Sequence, residues 1–525
     1  MEHVGKIKSE FDRLDTRRTS KLQRGRDCAR LSVPGLFPET GFTETMDLPD
    51  VFSSLPARGV MALASRMVSA IYPLNQAPFF NFELDQAFVP EGADAGGVMA
   101  QLSRLDRKIM DKLSSTNLRQ ELFVLFQHLI IIGDALFECL DEYSFRVHRL
   151  DHYVVQRYPN GNIKRIIVRE WVDPDAVPED WDVNDKEYGS SESGPTADHK
   201  PYYTSVTWNP DSKQWDVVKE YCGTVVDEGK YDINPYIPQT WTRVAGEDYG
   251  RSLVEEHIGD IRTLETLTKA LVEAAVANSE FRLGVDPTGI TEIADLQDTE
   301  NGDFVPARLT DVFPIQLLRQ IDIGPMAQVR QDLSQQLGRT FLLQSSVQRT
   351  GERVTATEIR EVAQELDQAL GGIFSGLARD IQIPLVKRTI VLMGRDKLVP
   401  KEILDMVNSE GPLKLKVRTG LEALNREVVN SQLAQWASVV QQLEPVAPYI
   451  DWYGWATKWT TSFGLETVGL VKTPEQLQQE QQQAAQQSQA AMAGEQAIKS
   501  TGKIAEGQAA AQAQAQAEAQ AAPQE

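Results

Sequence analysis

The sequence has very little cysteine: it contains Cys28, Cys139 and Cys222 among 525 residues, with no CxxC pair. This spacing argues against a zinc site and more strongly against a disulfide framework. The chain also lacks an apolar run near the ~20 residues that a membrane-spanning helix needs, and its first residues lack the apolar segment of a secretory signal. These absences predict a reduced, cytosolic protein with no membrane partner.

Positive charge is scarce as well. Lys and Arg number 53 against 75 Asp and Glu, which gives a formal net charge of −22. Proteins that hold nucleic acid tightly neutralise its phosphates with Lys and Arg. The charge balance therefore disfavours conventional nucleic-acid binding, but it suits a surface past which DNA must slide without sticking.

The sequence also lacks the motifs of common catalytic and metal sites. Gly502-Lys503 has no upstream glycine and is followed by Ile504, so the phosphate loop of a translocating motor is absent. His148 and His152 come closest to a histidine pair, but strand-like sequence flanks them. We interpret both as solvated strand-edge residues rather than metal ligands.

An acidic segment, residues 173–194, imitates the start of a calcium-binding loop at residues 180–184. Its sixth position is Asp185, where such a loop needs glycine, and its twelfth is Ser191 rather than glutamate. We interpret the segment as an exposed, solvated loop. The sequence thus gives no positive support for an enzyme, a metal or a cofactor.

Apolar spacing predicts a mainly helical N-terminal region. Helices are predicted over Ala57–Ile71, Leu102–Leu113 and Leu118–Leu140. Cys139 falls in the last of these and is interpreted as a core residue.

Residues 145–245 change to a strand period, and Asn160-Gly161 gives a strong hairpin signal. Strand pairs are predicted around Tyr153–Val155 with Ile166–Val168, around Val206/Val217 and around Val225/Tyr231. The predicted fold class is therefore mainly α with a smaller β part, an α+β fold.

Helical spacing returns at Ile258 and continues to Leu271. A second face of this helix carries Glu265, Lys269 and Glu273. A Pro/Gly-interrupted segment follows, and Gly324-Pro325 then opens another helix with proline in its first turn.

A polar break at residues 344–351 precedes a long apolar stripe that runs from Ile359 to Leu377. Gly371-Gly372 lies within the stripe and should bend the helix, and Pro384 is expected to bend or end it. Taken alone, the polar break is more simply explained as a helix–helix connection.

Residues 473–525 are almost entirely Gln, Ala and Glu. They cannot build a core, yet these residue types form helices readily. Disorder and a helix formed on assembly both remain open.

The stretch VQRTGERVTATEIR, residues 347–360, resembles the portal proteins of podoviruses, the short-tailed bacteriophages. In order along the chain, residues 57–73, 246–260, 370–372 and 419–423 are similar to other segments of the same family. The resemblance runs from about residue 20 to about residue 470.

This resemblance implies the phage portal fold, assembled as a closed ring that normally has twelve subunits. Its implied parts are a wing at residues 1–257, stem helices at 258–281 and 325–343, a clip at 282–324, a tunnel loop at 344–354, a long kinked wing helix at 355–395, a crown at 396–472 and a C-terminal helical barrel or tail at 473–525.

The implied function is structural: a connector ring at one capsid vertex, through which double-stranded viral DNA is packaged and ejected without sequence-specific contacts. The implied partners are further copies of the chain, the terminase large subunit, a tubular tail adaptor, capsid and scaffold proteins and internal core proteins. The implied location is the virion, after assembly in the host cytoplasm. The site residues are Gln344, Gln348, Arg349, Thr350, Gly351 and Arg353 in the tunnel loop, Glu265, Lys269 and Glu273 along the stem, and Gly371 and Gly372 at the helix kink.

An alternative is a soluble scaffold or adaptor that binds its partners through the Gln/Ala-rich tail and has no DNA channel.

Overall fold

The computed structural model describes most of the chain to residue 399 and a few later positions. The described residues are 6–43, 45–72, 79–84, 95–178, 181, 199–279, 283–289, 308, 310–314, 324–343, 372–399, 413–417, 435, 438, 456 and 509–510. The chain divides into two compact units, residues 1–95 with 101–424, and residues 96–100 with 425–525. The described residues of the second unit are helical, and the elements below belong to the first, apart from residues 96–100 of the fourth helix.

The N-terminal region is mainly helical, as predicted. Its helices are α1 (Lys6–Arg17), α2 (Thr19–Arg30), α3 (Leu55–Ile71), α4 (Ala95–Ser114) and α5 (Leu118–Ile131). The predicted helices over residues 57–71 and 102–113 are confirmed by α3 and α4. Helix α3 packs along α5, and Leu63 and Phe126 lie fully buried on these helices.

The helix predicted over Leu118–Leu140 is too long. It ends at Ile131, Gly133 adopts a φ of 93°, and Asp134–Cys139 forms strand β2. A glycine with positive φ turns the chain at low steric cost, so the element ends there. Buried helices and buried strands both give continuous apolar runs, which explains the error. Cys139 is buried as predicted, but on a strand.

The remaining strands form several small sheets. They are β1 (Phe80–Leu84), β3 (Phe145–His148), β4 (Tyr153–Arg157), β5 (Ile163–Val172), β6 (Lys200–Asn209), β7 (Gln214–Tyr221), β8 (Thr224–Tyr231), β9 (Tyr236–Thr240), β10 (Leu283–Val285), β11 (Val312–Pro314) and β12 (Leu413–Val417). The largest sheet has the order β4-β5-β6-β7-β8; a second has the order β3-β2-β9, and β1 pairs with β12 and β10 with β11. The fold thus mixes helix and sheet.

The predicted hairpin at Asn160-Gly161 is confirmed. Tyr153 pairs with Val168 across β4 and β5, and Gly161 turns the chain with a φ of 85°. Val206 also pairs with Val217, as predicted. Val225 and Tyr231 do not belong to two paired strands, because both lie in β8, which pairs with β7.

Helix α1 covers one face of the largest sheet. Phe11 and Leu14 of α1 pack on Val154, Ile167 and Tyr203 of three neighbouring strands. The rest of α1 is polar apart from Ile7, which is partly buried and packs against the same cluster. Ile7, Phe11 and Leu14 therefore form the buried side of the helix. The sheet and the N-terminal helices therefore share a core.

The two edge strands of the largest sheet, β4 and β8, are protected from further strand pairing in different ways. At β4, the backbone N–H of Val155 donates to the Tyr249 hydroxyl at 3.0 Å, and that of Arg157 donates to Oδ1 of Asp248 at 2.8 Å. At β8, the pairing with β7 shifts register between Lys219 and Glu220. The outer residues Asp227, Glu228 and Lys230 are exposed.

Further helices follow the sheets: α6 (Leu253–Glu256), α7 (Ile258–Ser279), α8 (Gly324–Thr340) and α9 (Ile373–Arg395). Helices α7 and α8 confirm the helices predicted from Ile258 and Gly324-Pro325. Pro384 lies inside α9 and does not end it. Within the described part of the chain, the structure contains no helix that is long and apolar enough to cross a membrane.

Candidate functional site

Helices α7 and α8 form an antiparallel pair, called the helix pair below. They pack along each other, and the segments that continue from their adjoining ends meet again as the antiparallel strands β10 and β11. Ile261 and Leu264 of α7 and Leu337 of α8 are almost fully buried near the other end. We call this end the base of the pair, and the end toward β10 and β11 its free end.

The base is seated on α3. Phe341, just beyond α8, is fully buried, and a Cβ placed on Gly59 of α3 would lie 2.6 Å from its Cγ. Glycine is therefore needed at this contact, because a larger residue would push the phenyl ring away. Arg66 of α3 also donates to the Leu342 carbonyl oxygen at 2.6 Å.

A carboxylate of α7 holds the segment before α3. Oε1 and Oε2 of Glu265 accept the backbone N–H groups of Phe52 and Ser53 at 2.6 and 2.9 Å. The Lys269 ammonium lies 5.6 Å from the centre of the Phe52 ring and 3.9 Å from Oε1 of Glu273. Of the stem residues predicted from the sequence, Glu265 is thus engaged within the chain, whereas Lys269 and Glu273 are largely exposed.

The predicted tunnel-loop residues Gln344, Gln348, Arg349, Thr350, Gly351 and Arg353 lie outside the described residues, as does Gly371. Gly372 immediately precedes α9 and has a φ of 83°. This left-handed conformation favours glycine. The bend expected at Gly371-Gly372 stays a prediction, because the preceding residues are not described.

A buried lysine joins the lead-in of the helix pair to the N-terminal helices. Nζ of Lys21, on α2, lies 3.3 Å from Oδ2 of Asp134 and 3.4 Å from Oε2 of Glu255. It also donates to the carbonyl oxygens of Ile132 and Gly250 at 2.8 and 2.5 Å. The Lys21 and Asp134 side chains are 5% and 3% exposed. Each charge therefore requires the other, because a buried charge without a partner is costly.

The Asp134 carboxylate has further partners. It accepts hydrogen bonds from Gly250 N and Thr240 Oγ1, both at 3.1 Å. Burial raises the pKa of Asp134, and the Lys21 ammonium opposes that rise. A Cβ on Gly250 would overlap Thr240 and the Thr242 carbonyl oxygen. Glycine is needed at this close approach of three segments.

Ser252 starts the short helix α6, which leads into α7. Its Oγ accepts the N–H of Glu255 at 2.9 Å, as an N-cap residue does, and donates to the Ile131 carbonyl oxygen at 2.9 Å. The α6 start is thereby tied to the end of α5. The segment that leads into α7 is thus anchored to α2, α5 and β2.

The predicted solvated histidine at position 148 is wrong. The His148 side chain is 4% exposed, and its Nε2 lies 2.7 Å from Oε2 of Glu138. Burial would raise the pKa of Glu138, but His148 and Arg146 lower it to about 2. His148 lies in the sheet β3-β2-β9, beside Glu138 of β2 and the Tyr236 ring of β9. His152 is partly exposed.

Sequence reasoning missed the network around Lys21. One signal was available, since Asp134 is a carboxylate inside an otherwise apolar stretch. Its partner could not be located from the sequence, because Lys21 is more than 100 residues away. Among the described residues, no group of three or more potential metal ligands is clustered.

Comparison with known proteins identifies the family. The model of the family "Bacteriophage head to tail connecting protein" matches residues 4–471. The portal protein of Enterobacteria phage T3 is 33% identical over 485 residues, covering 90% of this chain and 89% of that protein. The portal protein of Escherichia phage T7 is 32% identical over 492 residues, covering 91% and 90%.

The chain is also similar to a solved chain from the neck of a native gene transfer agent particle computed with C12 symmetry. The TM-score is 0.30 and the identity 11%, over 72% of this chain and 85% of that one.

The mixed helix–sheet fold and the sequence matches define the class: the chain belongs to the bacteriophage head-to-tail connecting protein family. Within that family it is a portal, or connector, subunit similar to those of the podoviruses T3 and T7. The resemblance noted from residues 347–360 is confirmed.

Proposed function

We propose that twelve copies of the chain form a closed ring at one capsid vertex, and that double-stranded viral DNA passes through its channel during packaging and ejection. The observation that carries the proposal is the match to a phage portal protein over 90% of the chain. The role is structural, so the energy for packaging comes from a separate motor.

The helix pair supports this assignment. Its base is seated on α3, and the segment that leads into α7 is tied to α2, α5 and β2, which suits a helix pair held in place beside a channel. In the proposal α7 and α8 are the stem, β10 and β11 lie in the clip, and the N-terminal helices and sheets form the wing. Residues 344–354 are the tunnel loop, 396–472 the crown and 473–525 the barrel or tail.

Charge supports DNA sliding rather than gripping. The chain carries a net charge of −22, and on α7 the Glu273 side chain is 65% exposed. In the proposal Glu273 faces the channel, while Gln344, Gln348, Arg349, Thr350 and Arg353 make weak contacts to phosphates at its narrowest point. Contacts to phosphates carry no sequence information. Gly351 gives the loop its freedom to turn.

The proposed partners follow the order of virion assembly. The ring would join capsid and scaffold proteins first and dock the terminase large subunit during packaging. A tubular tail adaptor would bind afterwards, and internal core proteins would lie against the crown and tail inside the head. Assembly would take place in the host cytoplasm, and the ring would remain in the virion.

The ring is tested by light scattering behind size-exclusion chromatography, together with negative-stain images of the purified full-length chain. We expect closed rings with a central hole, formed without nucleotide. A stable monomer at micromolar concentration would refute the ring. A compact oligomer without a hole would favour the soluble adaptor.

A further inference from the structure

A cavity of about 340 Å³ lies where three parts of the fold meet. Strands β6, β7 and β8 of the largest sheet line one side of it. The end of β2, the turn after β2 and the start of β9 line another side, and α9 contributes Arg388. Small-molecule sites in proteins are typically concave, with volumes of about 300–1,000 Å³. The cavity is therefore large enough for a small ligand.

Arg388 is a buried cation on the wall of this cavity. Its side chain is 4% exposed, and its guanidinium carbon lies 4.9 Å from the centre of the Tyr231 ring. Its Nη2 donates to Oδ1 of Asp141, a carboxylate that Arg395 also contacts at 3.6 Å. Its Nε is buried and has no hydrogen-bond partner in the described part of the chain. Because an unpaired buried donor is costly, an acceptor bound beside Arg388 would stabilise the fold.

Further hydrogen-bond donors line the same cavity. Lys219 of β7 and Thr204 of β6 are paired directly across the sheet. Nζ of Lys219 lies 2.8 Å from Oδ2 of Asp227, but the Asp227 side chain is 52% exposed, so water weakens this ion pair. A guanidinium, an ammonium and a hydroxyl thus line one cavity, which is a donor set suited to an anion.

The carboxylates of the lining do not prevent an anion from binding. Glu138 is engaged by His148 and Arg146, whose nitrogens both lie 2.7 Å from its Oε2. Glu142 is exposed, where solvent and salt screen its charge. Together with Asp141, each acidic group of the lining is therefore either paired or hydrated.

The remaining walls of the cavity are largely apolar. They include Leu140, Val217, Pro235 and the ring of Tyr231. Such walls favour a ligand with a carbon body over a bare inorganic ion, because burying apolar surface is favourable. A carboxylate is planar and can accept two parallel hydrogen bonds from one guanidinium, so it is the anionic group that best suits Arg388.

We infer that the cavity binds a carboxylate ligand with a small apolar body, and that Arg388 and Lys219 hold its carboxylate. The ligand would then join α9 to β7 and fasten this helix to the largest sheet. Thr204 would donate a further hydrogen bond, and the carbon body would lie against Val217 and Pro235. The site is formed within one chain, so the inference does not depend on the proposed ring.

Fluorobenzoate and fluorobenzamide are matched probes of this site, because they have nearly the same size and differ in charge. Each is titrated with the full-length protein, and line broadening in its fluorine NMR spectrum reports binding. We expect fluorobenzoate to bind with a Kd of about 1 mM. Fluorobenzamide should bind at least roughly tenfold more weakly, because it cannot accept charge-assisted hydrogen bonds. Equal binding of the two probes, or no binding of either, overturns the inference.

Substitutions locate the bound probe. Lys219→Met should raise the Kd of fluorobenzoate by roughly tenfold. The matched control is Lys230→Met on β8, because Lys230 is 61% exposed, lies 3.9 Å from Asp216 and points to the other face of the sheet from Tyr231. Its Kd should not change. Arg388→Met should abolish binding in a chain that circular dichroism shows to be folded, and if that variant does not fold, Lys219→Met decides alone. An unchanged Kd for Lys219→Met would place the probe elsewhere and overturn the inference.

Competition separates a carboxylate site from a general anion site. Excess inorganic phosphate should not displace fluorobenzoate, since phosphate has no apolar body, and complete displacement would overturn the carboxylate assignment. Rings that form normally from a chain that binds no probe would leave the proposed function intact while the inference fails. Binding by a chain that forms no ring would do the reverse.

Discussion

Replacing Lys21 with methionine would remove one charge from the network at the base of the helix pair while keeping most of the apolar side-chain volume. The variant loses the ion pair with Asp134 at 3.3 Å and leaves the carbonyl oxygens of Ile132 and Gly250 without their donor. Removing one partner of a buried ion pair typically costs about 3–5 kcal/mol. We expect a loss in that range in the free energy of unfolding.

The matched control is Arg24→Met on the same helix. Arg24 lies 2.9 Å from Oε1 of Glu255, but its side chain is 43% exposed, so its loss should cost at most about 1 kcal/mol. Urea unfolding followed by circular dichroism measures both variants, at one protein concentration because assembly adds to apparent stability.

The pH dependence gives a second check on Lys21→Met. Burial already raises the pKa of Asp134, and without Lys21 only the hydrogen bonds from Gly250 and Thr240 oppose that rise at close range. A carboxyl whose folded pKa is raised destabilises the fold as pH rises through that pKa. The deficit of Lys21→Met should therefore grow as pH rises above the ordinary carboxyl pKa of 3.8, and adding Asp134→Asn should recover about 2 kcal/mol of it. Equal losses in the free energy of unfolding for Lys21→Met and Arg24→Met would refute the reasoning.

Three further predictions concern other parts of the chain. The pKa of Glu138 is lowered from 4.5 to about 2, so the stability that its carboxylate contributes is present above pH ~4.5 and is lost as pH falls toward 2. Glu138→Gln should lower the free energy of unfolding by about 3 kcal/mol at pH 6 and reduce the fall of the urea midpoint between pH 4.5 and 2. An unchanged fall of the midpoint would contradict this. Gly59→Ala should destabilise the fold by about 1–3 kcal/mol through Phe341, whereas Gly376→Ala, whose Cβ meets open space, should be neutral or slightly stabilising in the same unfolding assay. Arg349→Ala should leave ring assembly intact but reduce the nuclease-resistant DNA in filled heads; normal DNA content would instead favour a role in bracing the loop.

Local patterns predicted the elements whose identity depends on neighbours in sequence. Asn160-Gly161 predicted a hairpin, and the spacing from Ile258 to Leu271 predicted a helix, which the structure places over Ile258–Ser279. The boundary at Gly133 was missed, since apolar residues continue across it and periodicity alone cannot separate a buried helix from a buried strand.

Long-range contacts were beyond sequence reasoning. Glu265 was predicted on a charged helix face, but its partners Phe52 and Ser53 are more than 200 residues away along the chain. The same holds for Lys21, whose charged partners come from β2 and from α6. Charge type can be read from a sequence, whereas burial and pairing depend on how distant segments meet.

The edges of the largest sheet bear on how an assembly of identical chains avoids misassembly. An open strand edge is a template for another strand, and crowding many copies in one particle multiplies such encounters. Tyr249 and Asp248 occupy backbone donors of β4, while β8 carries an irregular register and exposed charges. Neither border readily accepts a foreign strand. Growth by adding strands to the sheet edge, which would continue into fibres, is thereby disfavoured. Subunits are then expected to associate through helical surfaces, whose contacts can repeat until a ring closes.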